Sequence, residues 1–193
     1  NNAWVGEVKG MPMLFAEGQG SALALGCSVP LRTRSVGFVG TSDGWQDLAR
    51  HFEMRWTYDH AMNGNVALTG EIDLAAGDGR FLLALGFGRN AAEAGHRVLA
   101  SLSEGFERAI RGYAAGWRAW QKTLLPLDRP YSPPDHNTYR VSAAVLRCHE
   151  AGSFLGGYIA SLSVPWGFSK GDEDLGGYHL VWPRDLVETA TAL

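Results

Sequence analysis

At Asn90 the hydrophobic period of the chain changes, and that change restricts the fold more than any other feature of its 193 residues. Before it the apolar runs are short: MPMLFAEG, ALALGCSVPL, RSVGFVGT, HFEMRWTYDH, NVALTGEIDL and RFLLALGFG, separated by EGQG, TSDG, MNGN and AAGDG. Alternation places every second side chain on one face of a strand, and the Gly, Asn and Asp of the breaks supply turn conformations. Residues 1–90 are therefore expected to form an antiparallel β-sandwich. After it, Leu102, Phe106, Ile110, Tyr113, Trp117, Trp120 and Leu124 recur every three or four residues, the signature of one helical stripe. The two periods call for two architectural units.

Within the first unit, Met54, Trp56 and Tyr58 alternate with Arg55, Thr57 and Asp59, which predicts a strand, and MNGN predicts a tight hairpin after it. In the helical region Gly105, Gly112 and Gly116 each cost about 1 kcal/mol relative to Ala inside a helix, which predicts a break or close packing near Gly112. LPLDRPYSPPD carries Pro126, Pro130, Pro133 and Pro134, which cannot continue a helix. Residues 91–135 thus read as a helical and Pro-rich linker. Helical spacing resumes from Tyr139 to Glu150, with Tyr139, Ala143 and Leu146 on one face and Val141, Val145 and Cys148 widening it. That breadth predicts a helix packed on more than one side. The last segment, RDLVETATAL, has no C-terminal cap, so continuation beyond it is expected.

Apolar residues make up 46% of the chain, enough for a sizeable core. The 17 basic and 20 acidic residues are dispersed, so neither nucleic acid nor an anionic membrane is an expected partner. No stretch approaches the roughly 20 apolar residues of a membrane span. Cys27 and Cys148 are too few for a zinc site and too far apart in sequence to suggest a disulfide scaffold, and both read as buried free thiols.

The richest chemistry lies in YHLVWPRDL, residues 178–186. Tyr178 and Trp182 offer flat faces, and Arg184 and Asp185 offer a donor and an acceptor that together grip neighbouring hydroxyls. Two readings are open: a sugar pocket, or a capped helix with a local ion pair and a core Trp. In GDEDLGG, successive carboxylates admit calcium or a solvated acidic turn; the spacing of a recognised calcium loop is lacking, so no cofactor or metal is assigned. TSDGWQD reads as a turn into a short helix, with Asp43 and Asp47 as backbone caps. His51, His60, His96, His136, His149 and His179 are scattered and read as structural. Neither a Walker-type phosphate loop nor a G-x-G-x-x-G dinucleotide fingerprint occurs. Asp172, Glu173, Asp174, Asp185 and Glu188 fall within too short a span to flank a sugar ring from both sides, so no catalytic pair is assigned.

VGTSDGWQDL, MNGNVALTGEIDL, IASLSVPWG and above all GDEDLGGYHLVWPRDL resemble the bacterial and archaeal glucoamylase-like proteins, the family 15 glycoside hydrolases that include glucodextranases. The resemblance implies an N-terminal β-sandwich, a helical linker and an (α/α)6 barrel, of which residues 136–193 would be the opening helices. It implies release of glucose with inversion from non-reducing ends of α-glucans and maltooligosaccharides by a Glu acid and a Glu base. Both lie downstream of the matched motif, outside these residues. It further implies that Arg184 and Asp185 bind the hydroxyls of the terminal glucose, that Trp182 and Tyr178 line that subsite, and that the remainder of the barrel is a partner. Glucodextranase and trehalose hydrolase activity remain open alternatives, as does a non-catalytic carbohydrate-binding module. The substrate class favours an extracellular or periplasmic site of action.

Overall fold

Residues 1–127, 137–162 and 177–193 are described by the computed structural model. The order is β1 (Asn2–Val8), β2 (Met11–Gly18), β3 (Ser21–Cys27), β4 (Leu31–Phe38), α1 (Gly44–His51), β5 (His60–Ala61), β6 (Val66–Ile72), a 3-10 turn (Leu74–Gly77), β7 (Leu83–Gly88), α2 (Ala91–Glu104), α3 (Phe106–Gln121), α4 (Thr138–Cys148) and α5 (Pro183–Ala192). The chain divides into two compact units, residues 1–114 and 115–193.

In the first unit, β5-β1-β2-β3-β7 form one antiparallel sheet and β4-β6 a second. Strand alternation gives the five-stranded sheet two apolar faces. On one, Ala3 and Leu14 meet Val36 of the second sheet, with Val5, Leu25 and Leu68 around them. On the other, Met13, Phe15, Ala22, Ala24 and Ala84 meet Ala94 and Val98 of α2. The side chains Met13, Leu14, Val36 and Val98 are fully buried. Close approach of α2 depends on Gly86, where a Cβ would lie 2.1 Å from the carbonyl oxygen of Ala94.

The change of period at Asn90 is also where α2 begins. Asn90 accepts a hydrogen bond from the Glu93 backbone N–H at 2.9 Å, and the Glu93 carboxylate accepts from the Arg89 N–H at 2.9 Å and pairs with Arg97 at 2.7 Å. This reciprocal capping satisfies donors that a new helix leaves open. Donation from the Arg89 N–H, reinforced by Arg97, outweighs desolvation and holds the Glu93 carboxyl below its ordinary range.

Several expectations need correction. The predicted single stripe is two helices, α2 and α3, separated at Gly105 with φ +77, a left-handed conformation that Gly adopts without penalty. Gly112 lies inside α3 with open space where a Cβ would be. Residues 53–59 form no strand, and MNGN links β5 and β6 of different sheets rather than closing a hairpin. Cys27 is buried, but Cys148 is exposed; both are free. Of α4, only Ala143 is buried, while Val141 and Val145 stand open. Most of the Pro-rich connector and of GDEDLGG lies outside the described residues.

Candidate functional site

The second unit holds YHLVWPRDL between α4 and α5. Its short core includes Leu124 and Ala143, with Trp117 and Trp120 edge to face at 5.4 Å and the Arg147 guanidinium over the Trp120 ring. Arg140 donates to the Gln121 carbonyl oxygen, and Gln121 Nε2 donates back to the Arg140 carbonyl oxygen at 3.3 Å, fastening α4 to the end of α3.

Backbone bonds tie the residues that follow α4 to those just before α5. The Ile159 N–H donates to the His149 carbonyl oxygen at 3.0 Å, the Ser161 N–H to Tyr178 at 3.0 Å, and the Ala160 N–H to Leu180 at 3.2 Å. Pro183 disfavours helical geometry in Trp182, which is extended (φ −96, ψ 132), and itself opens α5, where its missing N–H costs nothing. Trp182 Nε1 donates to the Gly177 carbonyl oxygen at 3.2 Å.

The four predicted residues are thereby gathered at the entry to α5. Tyr178 and Trp182 are substantially exposed. Arg184 is open to solvent and reaches Asp185 at 3.4 and 3.5 Å, while Asp185 is 32% exposed. At those distances the pair is loose, and both groups retain capacity for a ligand. Asp185 alone of the four also lines a cleft of about 330 Å³ with Leu146, His149, Ile159, Ala160, Glu188, Thr189 and Ala192. His149, Glu188 and Thr189 were missed as members of one surface. Residues 185, 188, 189 and 192 share a helix face by their spacing, but nothing in the sequence says that α4 ends opposite it.

TSDGWQD is a different kind of site. Asp43 caps α1, accepting from the Gln46 N–H at 3.0 Å and from Gly40. Asp47 is 1% exposed and accepts from the Arg55 N–H at 2.7 Å, the Trp56 N–H at 2.8 Å and His51 Nδ1 at 2.8 Å. This explains why the alternation from Met54 to Tyr58 gives no strand: two of its backbone donors go to a carboxylate instead. For Asp47, burial raises the pKa while the Trp56 N–H, the His51 ring and the Arg55 N–H lower it more, leaving the carboxyl below its ordinary range. Asp43 follows the same pattern, burial being outweighed by backbone donors led by Gln46.

Among the described residues no group of three His, Cys, Asp or Glu converges to hold a metal ion, and no helix is long and apolar enough to cross a membrane.

Comparison with known proteins adds three findings. The family described as glucodextranase, domain N, matches residues 1–122. A glucoamylase of Clostridium sp. (strain G0005) is 32% identical over 192 residues, covering 100% of this chain and 26% of that protein. A crystal structure of a bacterial glucoamylase complexed with acarbose superposes with a TM-score of 0.84 at 30% identity, covering 99% of this chain and 29% of the other. The chain thus spans between a quarter and a third of the length of these relatives.

Proposed function

The chain belongs to the glucodextranase domain N family, and from that premise we propose that it is part of a glucoamylase-type inverting α-glucosidase. In this reading the first unit is the sheet domain, α4 and α5 open an (α/α)6 barrel, and the entry to α5 forms one wall of the subsite for the terminal glucose of an α-glucan. Arg184 donates to sugar hydroxyls, Asp185 accepts from them, and Trp182 and Tyr178 present flat faces. The observation that carries the reading is the loose Arg184–Asp185 pair beside exposed aromatic rings. A structural ion pair gains from tight geometry; a pair waiting for hydroxyls does not.

Inverting hydrolysis needs one carboxylic acid to protonate the leaving oxygen and one carboxylate to activate water, about 6.5–9.5 Å apart. We assign both to parts of the longer protein outside these residues, so the 193-residue chain does not cleave. Incubation of the chain with maltooligosaccharides should yield no glucose, and robust release would refute that assignment. In the longer protein, Arg184→Ala should weaken maltose binding about 10- to 100-fold through loss of a charge-assisted bond.

A second reading, sugar binding by the sheet unit alone, is favoured by a cleft of about 310 Å³ lined by Trp4, Glu7 and His96. Calorimetry with maltose, isomaltose and longer glucans separates the two: binding unchanged in Arg184→Ala would place the ligand on the sheets.

A further inference from the structure

Among the described residues β7 is the outermost strand beyond β3, and its sequence LALGFG contains neither a charge nor a proline. Ala84 and Gly86 face α2, so alternation turns Leu83, Leu85 and Phe87 to the opposite face. There they stand 52%, 53% and 60% exposed. The register sets Leu23 of β3 opposite Phe87 and Leu25 opposite Leu85, so the apolar surface is two strands wide. The second sheet closes its layer over β1 and β2, where Val36 meets Ala3 and Leu14. With strands about 4.8 Å apart, its two strands cannot roof all five of the first sheet.

Proteins protect an edge strand with charges, prolines or a covering element, and β7 has neither of the first two. The position of Asn1 indicates what covers it. Asn1 lines a cleft of about 370 Å³ together with Leu23, Val66 and Phe87. Its nitrogen donates to the Gly64 carbonyl oxygen at 3.1 Å, and the Gly64 N–H donates back to the Asn1 carbonyl oxygen at 3.0 Å. These bonds hold residue 1 beside the start of β6, a strand paired with β4 on one side only. Any residue joined to the Asn1 nitrogen therefore starts at the rim of the open apolar face. Polypeptide for this role is available, because the chain spans only 26% and 29% of the two relatives.

We propose that, in the longer protein, the segment joined to Asn1 runs as a strand from this cleft across Leu23, Leu85 and Phe87, extending the second sheet beyond β6. It carries apolar side chains at alternate positions, and about six residues, the length of β7, cover the row. Such a strand belongs wholly to the first unit and is independent of the glucose subsite.

The test uses the longer protein carrying Phe87→p-benzoylphenylalanine, an aromatic side chain that forms a covalent bond with neighbouring C–H groups under ultraviolet light. Peptide mapping by mass spectrometry should place the adducts in the residues immediately ahead of Asn1. Leu85→p-benzoylphenylalanine serves the same purpose if the first variant does not fold. Adducts in a second copy or elsewhere in the chain, or none at either position, overturn the proposal. Phe87→Lys provides a separate readout of whether the face is covered. A covered site buries an unpaired charge, and the melting temperature should fall by about 5 °C or more. A melting temperature within about 2 °C of wild type means that the position faces solvent, which also overturns the proposal.

Discussion

Asp47 and Asp185 both sit in the first turn of a short helix, α1 and α5, where a carboxylate is favoured by the helix dipole. Their surroundings are opposite. Asp47 is almost wholly buried and has three donors between 2.7 and 2.8 Å, two of them backbone N–H groups from residues eight and nine positions along. Asp185 is one-third exposed, its protein partner a solvent-facing Arg at 3.4 Å. The first carboxylate has its hydrogen bonds made and organises the loop that follows it. The second has acceptor capacity left, facing a cleft. The same residue at the same helical position thus has its hydrogen bonds spent on the fold in one case and, in the function proposed above, kept for a ligand in the other.

The surrounding units differ in the extent of their buried apolar cores. In the first, two apolar layers are closed on either side of one sheet. In the second, the described residues leave Val141, Val145, Phe154, Leu155 and Val187 open, and only Leu124 and Ala143 are buried apolar side chains. Such a surface is suited to being covered by further structure.

The largest effect that would sharpen this contrast is expected from Asp47→Ala. It strands the Arg55 and Trp56 N–H groups and should lower the melting temperature by about 10 °C or more, whereas Asp185→Ala should shift it by about 2 °C at most. Calorimetric melting of the two variants side by side checks this. Next is Gly86→Ala, whose Cβ would strike the Ala94 carbonyl oxygen and Val98; a loss of about 2–3 kcal/mol in denaturant unfolding is expected. Gly116→Ala, by contrast, enters open space on α3 and should stabilise by about 0.5–1 kcal/mol. Equal effects at the two glycines would erase the distinction between a packed and an open position.

Acid provides a further comparison. Because Asp47 is held below the ordinary carboxylate range in the folded chain, the folded state binds its proton less readily than the unfolded state. Its stabilisation is fully present above the unfolded value, about 4, and is lost as pH falls through the lower folded value. Melting temperatures from pH 7 down to pH 2 should therefore fall more steeply for wild type than for Asp47→Ala. Parallel curves would show that Asp47 contributes nothing to acid sensitivity.

Much of this was legible in the residues. The strand alternation, the start of α2 at Asn90 and the start of α5 at WPRD follow from local rules of periodicity, capping and proline geometry. What was not legible depended on distant partners. Trp56 alternates as a strand residue should, but its N–H is claimed by Asp47, nine residues earlier. The helix break came at Gly105, where a positive φ is required, and not at Gly112, where no backbone demand exists. That His149 and Asp185 line one cleft depends on how α4, residues 159–160 and α5 meet.

The central claim, that Asp185 is held ready for a ligand and not spent on the fold, is tested most directly by Asp185→Asn in the longer protein. Melting temperature and kcat/KM for maltose are measured on the same preparation. The expected result is a melting temperature within about 2 °C of wild type and kcat/KM reduced about 100-fold or more. Unchanged kcat/KM, or a collapse of the melting temperature like that expected of Asp47→Ala, would contradict it.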